Sequence, residues 1–273
     1  MTCKEKLKQC TQNSTAMLAT NFYNFETLIG LLLAAQKTGN SIILQTSEGT
    51  LNYLGVKPAV SLVRSLLDEL GVEGWLHLDH GSSIQVVKEC LDAGYDSVMI
   101  DASEKSISEN IKITTEVVRV AESYGVNVEA ELGYIAKLGQ EQEIEPTSVN
   151  DAAIFVEETG VDALAIAIGN AHGFYKNTPH LNFERLKEIR AATKCCLVLH
   201  GSSGIPDDQL KKAIRLGISK INLATETKNA FMTKVQLLLR DNSEIDLRKI
   251  FPKAIEEVES LIVKKFEVIS SIK

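Results

Sequence analysis

The strongest constraint on this chain is its rhythm: short apolar runs of strand length alternate with longer segments of helical spacing, eight times over 273 residues. The strand candidates are Met17–Asn21, Ser41–Thr46, Trp75–Asp79, Ser97–Asp101, Asn127–Leu132, Leu164–Ile168, Cys195–His200 and Lys220–Leu223. Between them, triplets such as Ile84/Val87/Leu91, Ala152/Phe155/Val156 and Phe183/Leu186/Ile189 give each helix one apolar stripe to lay on a sheet. Strands separated by helices run parallel, so the pattern predicts an α/β protein, a (β/α)8 or TIM barrel formed as a single domain over residues 1–273. The open alternative, a doubly wound sheet, lacks its Gly-x-Gly-x-x-Gly turn after the first strand. In Ile205-Pro206-Asp207-Asp208, proline suits the first helical position and the acidic pair suits the positive helix start, with Gly217 as the stop. The segment after Asp246 reads as a C-terminal helical extension, a lid or a packing element.

Composition narrows the function classes. A net charge of -7 gives no electrostatic reason to expect nucleic acid or an anionic membrane as partner, so any phosphate site must be local. The apolar stretch Leu28–Ala35 is too short to span a bilayer, and the N-terminus has no apolar signal followed by a cleavage site. Cys3, Cys10, Cys90, Cys195 and Cys196 are odd in number and form no disulfide framework, which fits a reducing cytoplasm.

Function is legible in where the polar residues fall. Leu76-His77-Leu78-Asp79-His80-Gly81 is an apolar run that ends in a carboxylate and an imidazole before a glycine. Ala171-His172-Gly173 and Leu199-His200-Gly201 repeat the ending, so three of the five histidines directly precede a glycine at a strand exit. In a barrel those exits share one rim, where barrel enzymes place their chemistry. One such histidine is an ordinary turn residue; three on one rim make a zinc site with an open fourth position the natural reading. His77, inside a strand, and His180, beside Pro179, default to structural roles. Asp101 ends the fourth strand candidate, and Glu129 and Glu131 share a face by period-two alternation. Each such carboxylate can be a ligand, an orienting partner or a base. Gly201-Ser202-Ser203-Gly204 and Asn222-Leu223-Ala224-Thr225 leave the last two strands, where barrels hold phosphate on backbone N–H groups.

These stretches resemble the class II, zinc-dependent ketose-bisphosphate aldolases, of tagatose and fructose type. The resemblance covers nearly the whole chain: Asn21 with Asn24-Phe25-Glu26-Thr27, Gln45-Thr46-Ser47, Leu78 to Ser83, Ser97 to Asp101, Val128 to Gly133, Ala167 to Gly173, Leu199 to Gly204, and Lys220 to Asn222 with Thr225. It implies that His80, His172 and His200 hold a catalytic Zn2+, with Asp101 and Glu131 at positions associated with an alternative or second metal site. Asp79 would be the base at the C4 hydroxyl in cleavage and the proton donor in condensation. Ser47, Gly173, Gly201, Ser202, Ser203, Asn222, Leu223, Ala224 and Thr225 would bind the substrate. The family also commonly uses a monovalent cation near the phosphate, and relatives of this short type are homodimers or homotetramers. The reaction so implied is cleavage of a ketose 1,6-bisphosphate to dihydroxyacetone phosphate and glyceraldehyde 3-phosphate, the zinc acting as Lewis acid for the enediolate.

Two departures from the family bear on detail. After Gly133 the chain reads Tyr134 to Glu143 in place of the usual glycine-rich acidic segment, and Glu141 or Glu143 is the candidate for proton exchange on dihydroxyacetone phosphate. At Asn222-Leu223-Ala224-Thr225-Glu226 the alanine resembles tagatose-type sequences, whereas fructose-type ones often carry a polar residue there. Other readings in view are a catalytically weak zinc or sugar-phosphate binding barrel, an aldolase for a different phosphorylated ketose, and an isomerase on a similar phosphate site.

Overall fold

Residues 1–133, 135, 146–175 and 177–271 are described in the computed structural model of the chain. Eight parallel strands close into a barrel in sequence order. They are β1 (Met17–Asn21), β2 (Ile42–Ser47), β3 (Gly74–Gly81), β4 (Ser97–Ile100), β5 (Asn127–Leu132), β6 (Ala163–Ile166), β7 (Cys196–Leu199) and β8 (Ile218–Leu223). Closure is visible in β1, where Ala19 sits beside Ile43 of β2 and beside Asn222 of β8. Each of the eight expected strands is present, most with ends displaced by one or two residues.

Among the described residues the helices are α1 (Cys3–Asn13), α2 (Phe25–Thr38), α3 (Glu48–Leu54), α4 (Val56–Leu70), α5 (Ile84–Ala93), α6 (Ile107–Glu122), α7 (Val149–Thr159), α8 (Phe183–Ala192), α9 (Asp207–Arg215), α10 (Thr225–Leu239) and α11 (Leu247–Ser270). Local chemistry fixes several starts. Asn24 and Thr27 form a reciprocal cap that launches α2 directly from the exit of β1, and Ser83 caps α5 just beyond β3. Pro206 stands one residue outside α9, in extended conformation, so the helix begins at the acidic pair rather than at the proline.

The strand pleat sorts side chains into two environments. Leu18, Leu44, Leu76, Leu78, Val98, Val128, Ala130, Leu164, Leu197 and Ile221 join the helices in the larger apolar core. Met17, Ala19, Ile43, Trp75, Ala163, Ala165, Cys196 and Val198 form a second cluster inside the barrel, closed from below by Cys3, Leu7 and Cys10 of α1. Helix α1 is therefore a plug, a role that its polar average (CKEKLKQCTQN) hides. Above that layer the inward positions turn polar. The C-terminal extension α11 is a packing element: Ala254, Val258 and Ile262 are fully buried, and a Cβ on Gly30 of α2 would meet Val258 at 2.9 Å. Burying a Val or Ile side chain contributes about 1.5–3 kcal/mol. All five cysteines are free and buried.

Candidate active site and metal centre

The three histidines expected at strand exits, His80, His172 and His200, meet at the C-terminal mouth of the barrel. Their ring centroids lie 5.1 Å (His80–His172), 4.8 Å (His80–His200) and 5.7 Å (His172–His200) apart. Each arrives by a different local device. His80 lies near the end of β3 with φ of +51°, a left-handed conformation rare for a residue with a Cβ, and the pairing with β4 shifts register between Leu78 and Gly81. Simple alternation would send Asp79 and His80 to opposite faces; this bulge brings both to the mouth, with His80 Nε2 3.9 Å from Asp79 Oδ1. His200 follows β7, and a Cβ on the next residue, Gly201 (φ +61°), would collide with the Ala171 carbonyl, a close approach that only glycine permits. His172 lies well beyond the end of β6, on a loop rather than at the strand exit. Asn170 Nδ2 donates to the His200 carbonyl at 3.1 Å, and Tyr175 OH donates to the Gly201 carbonyl at 2.9 Å, which staples that loop to β7.

One nitrogen of His80 and one of His200 is held by a carboxylate. Asp101 Oδ2 lies 2.7 Å from His80 Nδ1, and Glu129 Oε1 lies 2.9 Å from His200 Nε2. Buried atoms without a hydrogen-bond partner include His200 Nδ1, His172 Nε2 and Glu131 Oε2. Donor atoms of His80, Glu131, His172 and His200 all lie within 4.8 Å of one another. Unpartnered buried polar atoms are costly unless something fills the space between them, and imidazole and carboxylate donors at this spacing fit a divalent cation such as zinc. Asp101 does not join that set. Its Oδ2 is on His80 and its Oδ1 accepts from the backbone N–H and hydroxyl of Ser103, so it orients a histidine instead of offering a donor.

Electrostatics divides the groups. Burial opposes charge on His80, but the Asp79 charge and the Asp101 bond outweigh it and lift His80 to about 10. Burial, with His200 and His80 nearby, pushes His172 down to about 3, and burial also lowers His200. Burial and the Asp101 charge raise Glu131 to about 8. Asp79, though buried, is held below the usual carboxylate range by His80, His200 and a hydrogen bond from Asn21. Asn21 Nδ2 donates to Asp79 Oδ2 at 2.9 Å, Gln45 Nε2 to Oδ1 at 2.7 Å, and Asn222 Nδ2 to Oδ1 at 3.4 Å. Gln45 and Asn21 stand one and two strands away from Asp79, so their role depends on the register of neighbouring strands, and that of Asn222 on β8 depends on closing the barrel.

A small cavity of about 70 Å³ above this cluster is lined by Asn21, Asp79, His80, His172, Gly173, Gly201, Ser203, Asn222, Ala224 and Thr225. It includes the start of α10, where no side chain caps the helix, next to the Gly201–Ser203 loop. Ser203 Oγ accepts from Glu226 N at 3.2 Å and Glu226 Oε1 accepts from Gly204 N at 2.6 Å, binding the two phosphate-loop candidates to each other. Three predicted substrate residues, Leu223, Ser202 and Ser47, stand outside the cavity. Leu223 packs in the outer core, and Ser202 gives its hydroxyl to the Leu199 carbonyl. Ser47 lines another cavity, of about 490 Å³, with Tyr23, Thr50, Tyr53 and Lys228. Glu141 and Glu143 lie outside the described residues. His77 is fully buried on Ser97, and His180 is an exposed loop residue whose carbonyl packs beside Gly169.

A family model described as fructose-bisphosphate aldolase class-II matches residues 1–273. The chain belongs to the class II fructose-bisphosphate aldolase family. It is thus a lyase of a metal-dependent family. A fructose-bisphosphate aldolase of Geobacillus stearothermophilus is 39% identical, covering 98% of this chain and 96% of the relative. A 6-phospho-5-dehydro-2-deoxy-D-gluconate aldolase of Bacillus subtilis is 37% identical over 98% of this chain and 94% of its own. Among solved structures, the YdjI aldolase of Escherichia coli K12 superposes with a TM-score of 0.88 at 34% identity, covering 98% of this chain and 96% of that one.

Proposed function

We propose that this aldolase cleaves a ketose 1,6-bisphosphate, of tagatose or fructose type, to dihydroxyacetone phosphate and glyceraldehyde 3-phosphate, with zinc held by His80, His172 and His200 and with Glu131 as a further donor. The observation that carries the reading is the set of buried donor atoms, His172 Nε2, His200 Nδ1 and Glu131 Oε2, left unpaired in one cluster beside an ionised Asp79. Zinc in that position supplies a Lewis acid for the negative charge left on the ketone fragment. Asp79 takes the proton of the C4 hydroxyl as the C3–C4 bond breaks and returns it to the aldehyde oxygen in condensation. Its three amide donors keep the carboxylate aimed and charged. Gly173, Gly201, Ser203, Asn222 and Thr225 with the uncapped start of α10 receive the phosphate of the ketone fragment, and Asp101 holds the His80 ring.

Ala224 lines the cavity with no polar side-chain group, which supports activity on tagatose 1,6-bisphosphate at least equal to that on its fructose isomer. The Bacillus subtilis relative, named for a different phosphorylated substrate, supports a second reading in which the chain cleaves another phosphorylated ketose. Free, buried thiols and the net charge of -7 support a cytoplasmic protein without nucleic-acid or membrane partners, and no described helix is long and apolar enough to cross a membrane. The family resemblance adds a homodimer or homotetramer to this reading. The deciding experiment is a coupled triose-phosphate assay on the chelator-stripped and zinc-restored protein with both bisphosphates. Metal-dependent cleavage is expected; triose phosphate formed equally without metal, or none with it, defeats the proposal.

A further inference from the structure

Below the histidines, inside the barrel, lies a charged pair that the proposed chemistry does not use. Lys220 of β8 and Glu129 of β5 are 1% and 0% exposed, and Lys220 Nζ donates to Glu129 Oε2 at 2.7 Å. Isolated, either charge would be costly at that depth; each answers the other. The second oxygen of Glu129 lies on His200 Nε2 at 2.9 Å. On the opposite side Lys220 Nζ lies 3.3 Å from His77 Nε2, and His77 Nδ1 is 2.7 Å from Ser97 Oγ, which also accepts from Asn127 Nδ2 at 2.9 Å.

An ammonium has three donors and no lone pair, so it fixes the direction of every bond around it. Toward the barrel floor, His77 Nε2 must be the acceptor and its proton sits on Nδ1, facing Ser97. Burial and the Lys220 charge hold His77 near 3, which keeps that ring neutral. Toward the mouth, an ionised Glu129 can only accept, so the proton of His200 sits on Nε2. That leaves His200 Nδ1 as a bare lone pair, the same buried atom that has no partner and lies 3.4 Å from Glu131 Oε2.

We propose that Lys220 is a positioning residue for the metal centre: through Glu129 it locks His200 in the Nε2–H tautomer that presents Nδ1 to a divalent cation. The inference rests on the reading of His200 as a metal ligand. A residue that merely filled the core would support the fold without setting the tautomer or the metal affinity.

The test compares the wild-type chain, Lys220→Met and the charge-balanced pair Lys220→Met with Glu129→Gln. Each is stripped of metal and titrated with Zn2+ against a chromophoric chelator, and ring nitrogen shifts of His200 are read by 15N NMR in the stripped proteins. Lys220→Met should weaken zinc binding about 10–100-fold, the range typical when an outer partner of a metal-bound histidine is lost, and should mix the His200 tautomers. The double variant should bind zinc more tightly than Lys220→Met alone, because the amide oxygen introduced by Glu129→Gln can accept from Nε2–H and no buried charge is unpaired. Lys220→Met with wild-type zinc affinity and a pure Nε2–H signal overturns the proposal. Should Lys220→Met not fold, Lys220→Gln decides: zinc affinity lost about 10-fold with mixed His200 tautomers supports the inference, and wild-type affinity with a pure Nε2–H signal contradicts it. If wild type bound no zinc, the metal reading would fail, while the tautomer signal would still judge the role of Lys220.

Discussion

The two ends of the barrel are built from the same eight strands and do opposite work. At the N-terminal end the inward side chains are Met17, Ile43, Trp75, Ala163 and Cys196, and α1 drives Leu7 and two cysteines into them. At the C-terminal end the inward positions are Asn21, Gln45, Asp79, Glu131 and Asn222, joined by His200 at the exit of β7, and several of their polar atoms have no partner. The first arrangement stores stability in contacts that are complete. The second collects buried polar atoms without a protein partner, donors that a cation and an anion would satisfy. Between them lies the charged Lys220–Glu129 pair, whose carboxylate reaches up to His200 at the mouth.

If that division is right, substitutions at the two ends should separate rate from stability. Asp79→Asn retains shape and removes the basic carboxylate, so kcat should fall roughly a hundred- to ten-thousand-fold while zinc content, read by atomic absorption, stays near wild type. Loss of zinc in that variant would move Asp79 into the metal set. Exchange of the C1 proton of dihydroxyacetone phosphate should survive better than cleavage. Leu7→Ala is the opposite experiment: a buried truncation at the plug should cost about 2–5 kcal/mol in urea unfolding, with kcat of the folded enzyme unchanged. A matching drop in kcat would show that the floor of the barrel shapes the mouth.

A subtler effect concerns protons. With His80 lifted to about 10 and Glu131 to about 8, both carry a proton at neutral pH before metal binds, and both must lose it to coordinate. Zinc uptake at pH 7 should therefore release roughly two protons per chain, and affinity should rise as the pH is raised from neutral. Calorimetric titration in two buffers of different ionisation enthalpy measures this directly; heats independent of buffer would refute it. The smallest expected effect is the preference between sugars at Ala224, where kcat/KM for tagatose 1,6-bisphosphate should equal or exceed that for the fructose isomer. A clear fructose preference would remove that lean and leave the aldolase assignment untouched.

The barrel was legible because its signal is local: apolar runs of strand length, glycine at the exits, and one stripe per helix. The rim was legible for a related reason, since a polar residue that ends an apolar run must emerge at a strand's end. What sequence could not show depends on closure or on backbone detail. Glu129 was legible as a carboxylate on the same face as Glu131, but Lys220 lies 91 positions away and nothing local to either residue pairs them. The left-handed conformation of His80 has no signature in Asp79-His80-Gly81 beyond the glycine, yet it decides that both side chains reach the mouth. Leu223 and Ser202 sit inside matching motifs, but the pleat turns one into the core and a carbonyl captures the other. For α1, the charged residues that keep its outer face solvated mask the three positions that plug the barrel.

The proposed metal centre sets His80, His172, His200 and Glu131 around one cation at the mouth. An anomalous difference map at the zinc edge from crystals of the zinc-loaded protein tests it most directly. A single strong peak per chain is expected among His80, His172 and His200, lost in His172→Ala; a peak elsewhere, or one unchanged in that variant, would rule out this metal centre.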